Sequence, residues 1–144
     1  MGLIRLGNKP PLTISPTESA TRAANAMTER GVGAAAVLEG TKVIGIVTER
    51  DLMKKIVADQ RDPVRTTVRD IMTSPALSIR LKTSVDEAAG LMRKHHIRHL
   101  LVLDEHDALV GIVALRYLLY DLMDDLKRDV GDLMGYVMID SPGG

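Results

Sequence analysis

The stretch Gly45-Ile46-Val47-Thr48-Glu49-Arg50-Asp51-Leu52 decides how the rest of the chain is read. A short apolar run that ends in a hydroxyl and a carboxylate predicts a strand leading straight into a helix. The pattern recurs as Gly111-Ile112-Val113-Ala114-Leu115-Arg116-Tyr117-Leu118. Both copies keep the glycine, the Ile-Val pair, the arginine and the final leucine, whereas Thr48 and Asp51 become Ala114 and Tyr117. The chain is therefore read as a duplicated fold with one functional difference.

The duplication extends upstream. An offset of 65 residues sets Ile14 on Ile79, Ser19 on Ser84, Ala23 on Ala88, Ala24 on Ala89, Met27 on Met92, Val37 on Val102 and Leu38 on Leu103. One extra residue in the turn Asp104-Glu105-His106-Asp107 raises the offset to 66 and brings Gly45 onto Gly111. Such regularity marks an internal repeat. In the first copy, Pro10-Pro11-Leu12-Thr13-Ile14 reads as extended. Ser19 is placed as the N-cap of a helix with Ala20, Ala23, Ala24 and Met27 on its inner face, and Gly31 as its C-cap. Ala34–Leu38 and Val43–Val47 form a hairpin around Glu39-Gly40-Thr41-Lys42. The helix after Thr48 should show Leu52, Met53, Ile56 and Val57 on one face and end near Asp59. Residues 10–59 make the first repeat, 60–74 a charged linker, 75–128 the second repeat and 129–144 a short helix with a tail. Ser141–Gly144 should be disordered. The fold class is α+β: two strand-helix-strand-strand-helix units, each too small to be comfortable alone, packed through their sheets with clefts between them.

Composition narrows the function classes. With 19 basic and 19 acidic residues in 144, the chain has no net field to attract nucleic acid or an anionic membrane. The longest apolar run, Ala108–Leu115, is too short to span a bilayer. Met1–Pro11 has no long apolar core, and the expected compartment is the cytoplasm. Cysteine is absent, which excludes disulfides and thiolate metal sites. His95, His96 and His99 have no carboxylate at useful spacing and are not read as a metal site. Without Trp or Phe, any purine must be held by aliphatic side chains. No nucleophile with a base and no phosphate-cradling glycine loop is seen, so no catalytic residue is assigned and no enzyme is expected.

Thr48 and Asp51 carry two readings. At a helix N-terminus, where free N–H groups favour an anion, they could seat a sugar and a phosphate, the carboxylate accepting from vicinal ribose hydroxyls. Thr48-x-x-Asp51 is equally a capping box whose side chains satisfy each other's backbone. The four residues alone leave both open.

The tandem repeat, the Gly-Ile-Val-Thr-Glu-Arg-Asp-Leu run, the connector Val68-Arg69-Asp70-Ile71-Met72-Thr73 and the stretch His96-Ile97-Arg98-His99-Leu100 together resemble a CBS-domain pair, or Bateman module, from about Leu12 to Met123. The resemblance implies a regulatory module that binds an adenosine nucleotide between its repeats and signals to a protein whose identity it does not give. Asp51 and Thr48 would hold the ribose, Ile46, Val47 and Leu77 would wall the adenine, and Arg98, His99 and Arg116 would face the phosphates. AMP, ADP or ATP is expected ahead of NAD or S-adenosylmethionine. The mirror cleft departs from the pattern through Ala114, Tyr117 and Gly33, which stands where the first cleft has Arg98, leaving Arg50 as its phosphate partner. Pairing into a homodimer is implied through the stripe Tyr117, Leu118, Leu119, Tyr120, Leu122, Met123 and Leu126, which one half cannot fully bury. The alternative is a ligand-free interaction module of the same fold.

Overall fold

The computed structural model describes Leu6 and residues 10–140, with side chains through Met134. The tail Ser141–Gly144 and most of Met1–Pro11 lie outside the described residues. The order of elements is β1 (Thr13–Ile14), α1 (Ala20–Arg30), β2 (Ala34–Glu39), β3 (Lys42–Thr48), α2 (Glu49–Leu52, extended by a π-helical turn Met53–Ala58), α3 (Val68–Ile71), β4 (Ser78–Arg80), α4 (Val85–His95), β5 (His99–Leu103), β6 (Leu109–Ala114) and α5 (Leu115–Asp140). Two three-stranded sheets result, ordered β1-β2-β3 and β4-β5-β6, each with its first pair parallel and its hairpin antiparallel.

Repeat symmetry reaches the details. Ser19 Oγ accepts the Arg22 N–H at 3.1 Å, and Ser84 Oγ the Glu87 N–H at 3.1 Å. Both helices close on a left-handed residue, Gly31 at φ 64° and its repeat mate His96 at φ 54°. Glycine takes that conformation without steric cost; histidine tolerates it at a small one. Each hairpin has a register shift at the same place, after Val37 and after Val102, which sets Val37 against Gly45 and Val102 against Gly111.

Three apolar layers hold the chain together. Met27, Ala23, Val47 and Ile56 centre the first core, and Met92, Ala88, Val113 and Leu118 the second. Between the sheets Ala34, Ala36, Ile46 and Leu101 form a third layer. Alternate residues of a strand point to opposite faces, so β3 serves two layers: Val47 faces the helices and Ile46 the other sheet. Small alanines on β2 let the sheets approach closely.

The glycines of the repeated motif have a packing reason. A Cβ on Gly45 would lie 2.8 Å from the Thr73 carbonyl and 2.9 Å from Met72 Sδ, and one on Gly111 would lie 2.7 Å from the Leu6 side chain. Met72 and Leu6 lie one position apart when the repeats are set at the offset of 65, both in the segment that leads into a repeat. The segment preceding each repeat thus packs on the motif glycine of the other.

The structure corrects three expectations. Ile56 is buried after α2, but Met53 is 57% and Val57 73% exposed. The π turn explains this, because Asp51 and Ile56, five residues apart, share the buried side when the backbone bonds i to i+5. The residues after 59 are not a solvated linker throughout: Val68 and Ile71 belong to the first core, and Val68 N–H donates to Glu18 O at 2.8 Å. Finally, the C-terminal residues do not break near Asp129 into a separate helix. Leu115–Asp140 is one helix of 26 residues.

Candidate functional site

Asp51 is the centre of the candidate site. It is 7% exposed, at the third position of α2. Its Oδ2 accepts the Thr48 N–H at 2.9 Å and the Thr48 hydroxyl at 3.2 Å, while Thr48 Oγ1 accepts the Asp51 N–H at 3.3 Å. The capping box is therefore formed, and such a cap contributes about 1 kcal/mol. The other oxygen has different partners. Oδ1 accepts the Thr73 hydroxyl at 3.0 Å and lies 3.2 Å from Lys55 Nζ. Lys55 also donates to Ile71 O at 2.9 Å. Among the described residues no buried side-chain nitrogen or oxygen lacks a partner.

Thr73 and Lys55 were not singled out in the sequence. Lys55 stands at i+4 from Asp51, the spacing at which opposite charges meet on a helix, so a signal existed. Thr73 had no short-range signal; it reaches Asp51 because the connector pairs with β3, Ile46 and Thr73 exchanging backbone bonds of 3.0 and 2.8 Å.

The other expected residues are distributed around this centre. Ile46 lies between the sheets, as a cleft wall must. Val47 does not: its side chain is enclosed in the first core, so its expected role as pocket wall is withdrawn for the side chain. Leu77 precedes β4 in the second sheet and is 39% exposed. His99 opens β5 beside Glu49 and Gly33, and a Cβ on Gly33 would lie 3.1 Å from His99 Cε1. Burial holds the His99 pKa below its ordinary value; the Glu49 carboxylate opposes that shift and the Arg116 and Arg98 guanidinium groups add to it.

Arg98 and Arg116 take other positions than a shared phosphate seat. Arg98 lines a groove of about 340 Å³ with Arg50, Arg93, His96 and the apolar Met92 and Leu115, a lining that includes neither Thr48 nor Asp51. Arg116 Nη2 donates to Gly31 O at 3.4 Å, and its guanidinium lies 5.0 Å from the centre of the Tyr117 ring. Its repeat mate Arg50 donates to His96 O at 2.6 Å. Each motif arginine therefore reaches the left-handed C-cap carbonyl of the opposite repeat. A helix C-terminus leaves carbonyls without intrahelical partners, and these arginines satisfy one on each side. His99 is thus the expected phosphate-facing residue that stands next to the N-terminus of α2.

This architecture, two β-α-β-β-α repeats packed sheet to sheet around a capped strand-to-helix turn, defines a tandem-repeat module. The CBS domain family model matches residues 5–58 and 68–124, and the chain belongs to that family as a CBS pair. The protein MK0525 of Methanopyrus kandleri is 35% identical over 125 residues, covering 81% of this chain and 64% of its own length. A protein with CBS domains from Burkholderia ambifaria superposes with a TM-score of 0.77 at 34% identity, over 83% of this chain and 86% of that one. The CBS domain protein PAE2072 of Pyrobaculum aerophilum, solved in complex with AMP, has a TM-score of 0.71 at 26% identity over 81% and 94% of the two chains. Among the described residues no helix is long and apolar enough to cross a membrane.

Proposed function

We propose that the chain is a cytoplasmic, non-enzymatic regulatory module that binds an adenosine nucleotide beside Asp51 and signals its occupancy to a partner protein. The observation that carries this reading is the division of labour at the carboxylate. Oδ2 is committed to the cap, whereas Oδ1 is held by a hydroxyl and an ammonium, donors that two vicinal ribose hydroxyls can replace. Thr48 would complete the ribose seat, Ile46 and Leu77 the adenine wall, and His99 with Arg98 and Arg116 the phosphate side after rearrangement of the two guanidinium groups. The AMP complex of PAE2072 supports the ligand class. Ala114 and Tyr117 offer no carboxylate to the mirror cleft, so the stoichiometry is one nucleotide per chain. In this reading the working unit is a homodimer.

A second reading rests on the same hydrogen bonds. Every oxygen of Asp51 already has a partner within the chain, which is what a ligand-free interaction module would show. Thermal unfolding with AMP, ADP, ATP, NAD and S-adenosylmethionine separates the two. A ligand at about 100 times its dissociation constant adds about 2.7 kcal/mol, a rise of about 5 to 10 °C for a chain of this size. The sensor reading expects such a rise with an adenosine nucleotide and its loss in Asp51→Ala. No rise with any of the five leaves Thr48 and Asp51 as a helix cap.

A further inference from the structure

The Asp51 carboxylate is filled by donors of its own chain. An ionised carboxylate has about four lone-pair sites. Oδ2 accepts from the Thr48 N–H and hydroxyl, and Oδ1 from the Thr73 hydroxyl at 3.0 Å and the Lys55 ammonium at 3.2 Å. The first pair belongs to the helix cap. The second is tied to the connector between the repeats: Thr73 lies at its end, and Lys55 also donates to its Ile71 carbonyl at 2.9 Å. Two vicinal ribose hydroxyls reach this carboxylate by replacing two donors, and the pair on Oδ1 is the one that can leave without undoing the cap.

We infer that Lys55 and Thr73 are resident occupants of the ribose seat, an autoinhibitory contact through which the end of the connector competes with the nucleotide for Asp51 and is released by it. The inference rests on the nucleotide reading of that carboxylate and adds the regulation of the same site. Burial decides which part of the connector yields. Its earlier residues are anchored on the first repeat: Ala20 N–H donates to Thr66 O and Val68 N–H to Glu18 O, both at 2.8 Å, and the Val68 and Ile71 side chains are fully buried. No side chain between Ile71 and Ile79 is fully buried. That stretch is held on β3 by the two backbone bonds between Ile46 and Thr73, by the Ser74 hydroxyl on Ile44 O at 2.7 Å, and by the contacts at Asp51. Leu77 follows in the same stretch, so the segment that leaves the carboxylate also carries the expected adenine wall.

The sign of the effect separates this arrangement from a lysine that attracts the ligand. Removing a cation beside a site for an anion weakens binding, whereas removing a competitor strengthens it. Thr73 has no charge, so its removal tests the competition without an electrostatic change.

Calorimetric titration of the full chain with AMP, ADP and ATP tests the inference. Lys55→Met and Thr73→Val should each bind a nucleotide at least about threefold more tightly than wild type, the factor that one partly exposed ion pair or hydrogen bond supports. Lys54→Met, which removes the same charge from the exposed neighbour, should not tighten binding, and Thr73→Ser, which keeps the hydroxyl, should bind as wild type does. In the unmutated chain the Thr73 amide, which donates to Ile46 O, should exchange its hydrogen at least about threefold faster when nucleotide is bound, because competition is reciprocal. Unchanged or weaker binding in either Lys55→Met or Thr73→Val, with binding still lost in Asp51→Ala, overturns the occupant and leaves the nucleotide reading standing. Slower exchange at Thr73 in the bound wild-type chain overturns the release. Absence of binding by all three nucleotides, in wild type and variants alike, removes the nucleotide reading and the occupant with it.

Discussion

Lys55 Nζ lies 3.2 Å from Asp51 Oδ1 and donates to Ile71 O at 2.9 Å, so one ammonium joins the candidate site to the connector between the repeats. Thr73, from the end of that connector, donates to the same carboxylate oxygen. The connector is thus part of the wall of the site, and a ligand that took Oδ1 would release two of its attachments at once. A differential of that kind is what coupling between a site and a distant surface requires.

The shared acceptor makes a measurable prediction. Lys55→Met and Thr73→Val should each cost about 0.5 to 1.5 kcal/mol in urea unfolding, the range for a partly exposed ion pair and a single hydrogen bond. Because both donors serve one oxygen, the double variant should depart from the sum of the singles by at least about 0.5 kcal/mol. Additivity within about 0.3 kcal/mol would mean that the two donors do not share Oδ1.

Gly45 and Gly90 should respond to alanine with opposite signs. A Cβ at Gly45 meets the backbone oxygen of Thr73 at 2.8 Å, and relieving that contact breaks the Ile46 to Thr73 pairing. Overpacking against backbone costs about 1 to 3 kcal/mol. Gly90 lies inside α4 with nothing within 4 Å of an added Cβ. Alanine there should stabilise by about 0.5 to 1 kcal/mol through helix propensity and a less flexible unfolded chain. Chemical denaturation of the two single variants checks both; equal signs would contradict the packing given to the motif glycine.

The same glycine shows where the sequence was informative and where it was silent. The repeat was legible because period-2 apolar strands and Ser-capped helices recur at a fixed offset, and the caps at Ser19, Ser84 and Gly31 formed as read. That Gly45 and Gly111 recur was visible; that Met72 and Leu6 rest on them was not, since those contacts are long-range and arise only when the lead-in segments cross between repeats. The π turn after α2 also escaped, because a 3.6-residue period assigned Met53 and Val57 to the inner face. At the candidate site, the capping box of Thr48 and Asp51 was legible because it joins residues three apart. The partners of Arg98 and Arg116 in the folded chain, for Arg98 a groove shared with Arg50 and for Arg116 the Gly31 carbonyl, were not legible, because each includes a residue of the opposite repeat.

His99 gives the third prediction, with the sign set by its surroundings. Burial disfavours the imidazolium, the Arg116 and Arg98 charges disfavour it further, and the Glu49 carboxylate opposes them without reversing the shift. The folded state therefore binds this proton less readily than the unfolded chain, whose histidines titrate near 6.5. Stability from this group is present above that value and is lost as the pH falls from about 6.5 through the lower folded value. Unfolding curves between pH 7.5 and 5.5 should show wild type losing more stability than His99→Gln over that window. A nucleotide phosphate beside His99 reverses the local electrostatics, favouring the imidazolium and raising its pKa. Binding should then take up a proton and tighten on acidification, and calorimetry near pH 6 in buffers of different ionisation enthalpy should show that uptake in wild type but not in His99→Gln. Stability that falls identically in the two proteins would remove His99 as the titrating group. Proton uptake that survives His99→Gln would move the phosphate to another residue.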